Sequence, residues 1–299
     1  MVSHPLTPTP NLPALVVDSA AHPAPPHHRM STRNRLLFFL VAWLIVLMPF
    51  LFWWSTWFGR QLSDKQITEY LNDDKHPRHI QHALVQLGER MARHDPGAKR
   101  WYTEFPRLSS HPVEEVRNTD AWVMGQDTSA TAFHETLLKM LQDSSLIVRG
   151  NAALSLVRFG DAAGRPQIVA LLQPASIAAP RAGRVIDIDK VGTSVRQGGL
   201  IAKLQGGEHT TEIRAPISGR IRLSVATGAN VAAGTEVASI DPGSEQIWEA
   251  LRALYLVGQL EDLPAIRLYQ RNLPEIPDRL REQALLTEKA IQARSSSRP

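Results

Sequence analysis

The sequence predicts a multi-domain α + β protein that combines a single transmembrane helix, a stack of paired α-helices and an inserted all-β domain. Three patterns among its 299 residues carry this prediction. Residues 36–58 form an uncharged apolar run, helical segments repeat at an offset of 32 residues, and a β pattern marked by Pro and Gly repeats at an offset of 36 residues. Repeats with a fixed period indicate small structural units that pack against one another.

The first region, residues 1–34, is predicted to be a disordered cytoplasmic tail. It is rich in Pro, His, Ala and Ser and shows no apolar period, so it lacks the residues that form a core. Translation could begin at Met1 or at Met30, where Met-Ser-Thr-Arg-Asn-Arg is a start more typical of a membrane protein. Both start sites stay open.

Residues 35–59 are predicted to be the transmembrane helix, with bilayer contact from Leu36 to Phe58. At 1.5 Å per residue this uncharged run is about 34 Å long, which is enough to cross a bilayer. Three tryptophans cluster at its second end, as an interfacial aromatic belt would: Trp53, Trp54 and Trp57. The chain is therefore expected to be a single-pass protein of the bacterial inner membrane.

The charges on either side of the apolar run predict its direction. Three arginines precede it or open it: Arg29, Arg33 and Arg35. On the other side, Arg60 and Lys65 are diluted by the acidic Asp64. Because positive charge favours the cytoplasmic side, the N-terminus is predicted to be cytoplasmic and the C-terminal domains periplasmic.

Residues 62–174 are predicted to form paired helices. Ser63 to Gln66 has the form of a capping box, and the apolar residues behind it follow a helical period. Two later stretches match at an offset of 32 residues, because Val116-Arg117 leads to Ala121 as Val148-Arg149 leads to Ala153. The helical pattern returns after the β pattern, in residues 244–294.

This helical pattern resembles HEAT repeats. The marks of that family are a short polar turn, Val-Arg opening the second helix, small alanines where helices pack closely, and a Gly-Asp exit such as Gly160-Asp161. The resemblance implies a HEAT-like α-α solenoid over residues 62–174, with further HEAT-like helices in 244–294. Solenoids of this kind bind other proteins along their concave face.

Residues 175–242 carry the β pattern, in which Ile177 to Val185 recurs as Ile213 to Ile221. Proline and glycine mark the structural corners of each half: Pro180, Gly183, Pro216 and Gly219. The runs between them contain β-branched residues, which favour strands. Two such halves are predicted to bury a shared face and to form a small flattened barrel or sandwich.

The repeat resembles the biotinyl/lipoyl-carrier fold, the barrel-sandwich hybrid. In that family a modified lysine lies at a hairpin tip between the halves, shortly before a run like Ile213 to Pro216. The resemblance places Glu208 at the position of that lysine. Because a carboxylate cannot form the amide that attaches biotin or lipoate, it implies an unmodified domain without a cofactor.

Composition and motifs favour a role in binding over a role in catalysis. The chain has no cysteine, which removes thiol nucleophiles and most structural zinc sites. Its net charge of +4 is spread out and not interleaved with aromatics, so no nucleic-acid partner is expected. The spacing of His76, His79 and His82 allows a metal site, but a polar helix face is the expectation. No catalytic residue, metal or cofactor is predicted.

Four polar residues of the β domain are the predicted partner contacts: His209, Arg184, Arg220 and Arg222. His209 lies at the hairpin tip, where a solvated loop histidine is the alternative. The arginines give the domain a basic bias, which a solvated rim explains and which an acidic partner or anionic lipid headgroups would also use.

The predicted function is that of a non-catalytic scaffold or adaptor anchored in the membrane. It would bind partner proteins of an inner-membrane complex through the HEAT-like solenoid and the lipoyl-like barrel. The alternative is a truncated periplasmic adaptor subunit of an export or efflux transporter. The chain resembles such membrane-fusion proteins in its one N-terminal span and unmodified lipoyl-like domain, although only residues 204–212 join the two halves here.

Overall fold

The computed structural model of the chain describes residues 31–55, 61–207 and 209–296. Within those residues it combines α-helices with two antiparallel sheets, which confirms the prediction of a mixed α + β protein. The chain divides into two units, residues 1–60 and residues 61–299, and each is described by itself. Most of the predicted tail, residues 1–30, and the tip residue Glu208 lie outside the described residues.

The first unit contains helix α1, Thr32–Ser55, which begins three residues before the predicted transmembrane helix and contains Pro49. Among the described residues, it is the one helix whose length and apolar composition suffice to cross a membrane, with a mean hydropathy of 1.6 over its most apolar part. Its large apolar side chains from Leu36 to Phe50 are mostly exposed within the unit. Its direction across a membrane stays a prediction, and the tryptophan belt lies outside the side chains that the structure describes.

The second unit holds ten helices within residues 61–207 and 209–296. In chain order they are α2 (Asp64–Leu71), α3 (Pro77–Ala92), α4 (Phe105–Leu108), α5 (Glu114–Met124), α6 (Thr131–Met140), α7 (Leu146–Arg158), α8 (Arg165–Ala170), α9 (Ser244–Val257), α10 (Leu263–Arg267) and α11 (Asp278–Ser296). A 3₁₀ helix, Pro96–Glu104, precedes α4.

These helices pack as five consecutive pairs, and the second helix of each pair contacts the second helix of the next. The row of second helices is α3, α5, α7, α9 and α11. The fourth pair consists of α8 and α9, which contact each other although the whole β domain lies between them in sequence. One continuous apolar core runs through the stack.

Local signals in the sequence explain where the first helices begin. The predicted capping box is present, since the Ser63 hydroxyl accepts from the backbone N–H of Gln66 and the Gln66 side chain accepts from the Ser63 N–H. Pro77 occupies the first turn of α3, where its missing N–H leaves no hydrogen bond unmade. Behind it, the residues at helical spacing are buried: Ile80, Ala83, Leu84, Leu87 and Met91.

The 32-residue repeat has a structural counterpart in two arginine clamps. The Arg117 Nη1 donates to the His111 carbonyl at 2.8 Å, and the Arg149 Nη1 donates to the Asp143 carbonyl at 2.6 Å. Donors and acceptors in the two clamps are each separated by 32 residues. Arg117 also forms a two-pronged ion pair with the Asp143 carboxylate, at 2.7 and 3.0 Å. Each clamp fixes the turn in front of its helix, and the ion pair joins one helix pair to the next.

The β domain contains eight strands among the described residues. They are β1 (Ala175–Ala178), β2 (Gly183–Ile188), β3 (Ser194–Val195), β4 (Leu200–Gly206), β5 (His209–Arg214), β6 (Gly219–Ser224), β7 (Asn230–Val231) and β8 (Glu236–Pro242). One sheet has the order β1-β8-β6-β3 and the other β5-β4-β2-β7. The domain has an apolar core of its own, which includes Val185, Leu204, Ile221 and Ile240.

The 36-residue repeat relates the two sheets to each other. Moving each strand to its repeat equivalent turns the order β1-β8-β6-β3 into β5-β4-β2-β7. The backbone hydrogen bonds follow the same rule: Ala179 donates to the Thr235 carbonyl and Ala215 donates to the Gly199 carbonyl, both at 2.8 Å. The two halves therefore exchange roles in an internal twofold arrangement.

The predicted corner residues occupy matching positions in the two halves. Pro180 and Pro216 each follow a buried alanine and lie in a bend. Gly183 and Gly219 lie close to the neighbouring strand, because an added Cβ would approach the Gln205 and Asp241 carbonyl oxygens to 2.8 and 1.9 Å. Glycine is needed at both positions since the backbones approach closely there.

Replacing Gly219 with alanine should therefore loosen the pairing of β6 with β8. A Cβ at 1.9 Å from a backbone oxygen forces the strands apart, and overpacking of this kind costs about 1–3 kcal/mol. Hydrogen–deuterium exchange of the β6 and β8 amides measures the effect. Gly183→Ala should increase exchange less in its own strand pair, and equal protection in both variants and the wild type would contradict the proposed close approach.

Candidate functional site

The row of second helices carries an open groove on its exposed face, which we call the helical groove. It has a volume of about 720 Å³ and is lined by residues of α5, α7, α9 and α11. Its apolar lining includes Trp122, Leu154, Tyr255, Leu256 and Leu286. Four of these are large side chains with substantial exposure: Trp122, Tyr255, Leu256 and Leu286. This exposed apolar lining makes the groove a candidate interaction surface.

The helical period explains why these side chains face outward. On α5, Trp122 lies between Ala121 and Val123, which are both buried in the stack. Trp122 and Leu154 are separated by the 32-residue repeat, so equivalent positions of successive second helices line the same groove. The apolar groove therefore follows from the stacking of repeated helices.

Charged groups at the groove favour an acidic ligand. Arg158, Glu249 and Arg252 lie along its lining. Arg252 and Glu249 form an exposed ion pair at 3.6 Å, whereas Arg158 has no ionic partner among the described residues. The lining thus carries one more positive than negative charge, two arginines against one glutamate. Electrostatic complementarity of this kind contributes mainly to specificity and to the rate of association.

The predicted contact residues of the β domain do not form a single patch. Arg220 and Arg222 are exposed on β6, while Arg184 is exposed on β2 in the other sheet. Arg222 lies 3.5 Å from the Asp241 carboxylate, so part of its charge is balanced. Because Arg184 and Arg220 are equivalent in the 36-residue repeat, each of the two sheets carries an exposed arginine.

His209 opens β5 at the hairpin that joins β4 to β5. Its side chain is exposed, and its carbonyl accepts a hydrogen bond from Arg181 at 3.0 Å. The turn begins with Gly207, whose φ is 66°. The pairing of β4 with β5 repeats that of β8 with β1, through which the domain joins the helices. The hairpin between β4 and β5 is thus the repeat equivalent of the place where the domain joins the helices.

The three histidines considered as metal ligands are not brought together as a set. His76 and His79 both place Nδ1 beside the same Asp73 oxygen, at 2.9 and 2.7 Å. His82 lies further along α3, where its Nε2 is 2.9 Å from the Gln86 side-chain nitrogen. Burial lowers the pKa of His82, with a smaller contribution from His79. The structure therefore joins Asp73, which precedes the helix, to two of the three histidines.

The hydrogen bonds in this cluster affect the carboxylate. The bond from His79, followed by that from His76, holds the pKa of Asp73 below its ordinary value. Asp73 is therefore ionised at neutral pH. This group of one carboxylate and two imidazoles is the one set of side chains among the described residues that could hold a metal ion.

Comparisons with known proteins assign no family to the chain. No protein-family model matches it, and no curated protein matches it. One matching solved structure is that of "a single-chain, multi-domain long-chain acyl-coa carboxylase". The match covers 32% of this chain and 10% of that chain, with 16% identity and a TM-score of 0.23. This chain thus spans a small part of that protein, and so low a TM-score shows neither a shared fold nor a shared function.

Proposed function

We propose that the chain is a non-catalytic adaptor, anchored in a bacterial inner membrane by α1, that binds a segment of a partner membrane protein in the helical groove. The observation that carries this proposal is the exposed apolar lining of the groove, formed by side chains from successive second helices. Its N-terminus would be cytoplasmic and the second unit periplasmic.

The helical stack supports the proposal as a HEAT-like solenoid. It has consecutive helix pairs, an arginine clamp that recurs after 32 residues, and second helices that pack in a row. Repeat proteins of this kind bind partners on the extended surface formed by successive repeats. The helical groove is formed by successive second helices.

The β domain supports a second, smaller role in binding. Its internal twofold arrangement is the one expected of an unmodified biotinyl/lipoyl-like barrel-sandwich hybrid. By the resemblance, Glu208 takes the position of the carrier lysine and offers no amine for biotin or lipoate. The domain would provide a further contact for the same complex.

The lining defines the chemistry of the segment that would fill the groove. Trp122, Leu256 and Leu286 require apolar side chains opposite them. The excess positive charge, centred on Arg158, requires a carboxylate beside those side chains. An amphipathic segment with an acidic residue next to its apolar face meets both requirements, and such segments dock in grooves between helices.

Replacing Leu286 with aspartate should release the partner, because it puts a carboxylate into the apolar lining. Loss of a central apolar contact typically costs about 2 kcal/mol or more, which lowers affinity by about 30-fold. The measurement is recovery of partner proteins with the full chain after gentle detergent extraction of native membranes.

Leu285→Asp is the matched control. Leu285 is adjacent on α11 and equally exposed, at 55% against 54% for Leu286, but it is not part of the groove lining. We expect Leu285→Asp to retain the partner. Equal recovery with both variants would contradict binding in the groove. If the partner were instead lost on replacement of residues 175–242 by a short linker, the β domain would be the binding surface.

A further inference from the structure

The turn between α2 and α3 brings together three side chains that ligate transition metals. His76 Nδ1 lies 2.9 Å and His79 Nδ1 lies 2.7 Å from Asp73 Oδ2. The three candidate ligand atoms all lie within 4.8 Å of one another. They come from one short stretch of chain, in which the residues are three apart.

Backbone and ring contacts hold this arrangement. The His76 N–H donates to the Asp73 carbonyl at 2.9 Å, and the His79 N–H donates to the His76 carbonyl at 2.8 Å. The imidazole of His79 stacks on Tyr70, with ring centroids 4.3 Å apart and planes 11° apart. Two of the three side chains are half-buried, and that of His76 is 63% exposed. The cluster is therefore packed against the protein at His79 and open to solvent at His76.

We propose that Asp73, His76 and His79 form a binding site for a divalent transition metal such as Zn²⁺. Metal–ligand distances of about 2.0–2.2 Å in a tetrahedral site place ligand atoms roughly 3.3 Å apart. The two nitrogen–oxygen distances would have to lengthen by only about 0.5 Å, within the range of side-chain rotation. Three protein ligands leave a position for water or for a ligand from a partner. Imidazole nitrogens favour Zn²⁺, Cu²⁺ and Ni²⁺ over Mg²⁺ and Ca²⁺.

The charges around the cluster favour a cation. Among the described residues, the ion-pair partners of Asp73 are the two imidazoles. The adjacent Asp74 differs, because it lies 3.2 Å from the permanently charged Arg107. Asp64 likewise pairs with two arginines. Of these three carboxylates, Asp73 is thus the one without an arginine partner among the described residues.

The test is calorimetric titration of the detergent-solubilised full chain with ZnCl₂ near pH 7.5. The N-terminal histidines would bind zinc themselves, so the background protein has each of them replaced by serine: His4, His22, His27 and His28. We expect one saturable site. Both His76→Ala and Asp73→Asn should weaken it at least tenfold, and circular dichroism checks that both variants remain folded.

His134→Gln provides a matched control. His134 and Asp161 form a similar contact at 2.7 Å, but no second imidazole shares that carboxylate among the described residues. Its loss should leave the affinity unchanged. Absence of saturable binding, or equal affinity in all three variants, would overturn the proposal and leave the cluster as a hydrogen-bonded clamp at the start of α3.

Discussion

Replacing Arg117 with alanine should lower the free energy of unfolding of the helical stack by about 2–3 kcal/mol, the upper range for hydrogen bonds to charged groups. The side chains of Arg117 and Asp143 are only 13% and 10% exposed. The substitution leaves the Asp143 carboxylate without its ion pair and the His111 carbonyl without its donor. Urea denaturation of the solubilised chain, followed by circular dichroism, measures the change.

Arg149→Ala is the matched control for this prediction. Arg149 repeats the clamp on backbone carbonyls, but among the described residues it has no direct salt bridge to a carboxylate. Its loss should cost about 1 kcal/mol, as for a few ordinary hydrogen bonds. Equal losses in the two variants would contradict the importance of the ion pair.

Acid should diminish the difference between wild type and Arg117→Ala. Burial raises the pKa of Asp143, but hydrogen bonds from Arg117 and from the Ser145 N–H outweigh it, so the pKa lies below its ordinary value. A lowered pKa in the folded state stabilises the protein above the unfolded pKa of about 3.9, and this contribution is lost as the pH falls further. The two denaturation curves should therefore converge below about pH 4.

Replacing Asp120 with asparagine should have the opposite effect and stabilise the chain at neutral pH, by about 1.4 kcal/mol for each pH unit above the unfolded pKa over which the buried carboxyl stays protonated. Asp120 is fully buried on α5, and neither carboxylate oxygen has a hydrogen-bond partner among the described residues. Burial raises its pKa well above the ordinary value, against a smaller opposing effect of Arg107. Asparagine has nearly the same shape and no charge to desolvate.

The pH dependence of the stability change distinguishes this second prediction from the first. A carboxyl group whose pKa is raised on folding favours the folded state below its unfolded pKa, and this advantage is lost as the pH rises through the folded pKa. The advantage of Asp120→Asn should therefore grow from acid to neutral pH. Asp187→Asn, at an exposed position of β2, should change little. Reduced stability of Asp120→Asn at neutral pH would show that the carboxylate is satisfied after all.

The sequence is sufficient to predict the local structure where its signal comes from adjacent residues or from a repeat. The capping box at Ser63 and the proline at the start of α3 specify their own geometry through adjacent backbone groups. The 36-residue repeat was visible because the same close approaches require glycine in both halves, at Gly183 and Gly219. The combination of helices with antiparallel strands followed from these patterns.

The histidine cluster is only partly predictable from the sequence, because a helical spacing of His76, His79 and His82 assumes that the helix already includes His76. His76 is instead the N-cap residue of α3, with φ −124° and ψ 78°, outside the helical range. Its side chain lies beside Asp73. Asp120 was missed, although it lies four residues after the buried Val116 and four before the buried Met124. That spacing on the apolar face was the available signal.

The helical groove depends on contacts that the sequence does not reveal locally. Leu285 and Leu286 are identical in type and adjacent, and only packing of α11 against α9 decides which of them lines the groove. The contact of α7 with α9 also joins helices on either side of the β domain. Tertiary packing of this range is not encoded in the period of any single segment.

Site-specific photocrosslinking in native membranes tests the adaptor function most directly. A photoreactive amino acid at position 286 should give a crosslink to one membrane protein, and the same group at position 285 should give little. Leu286→Asp, tested in parallel, should abolish the co-purification of that same protein. Equal crosslinking from both positions, or none from position 286 while the partner still co-purifies, would contradict binding in the groove.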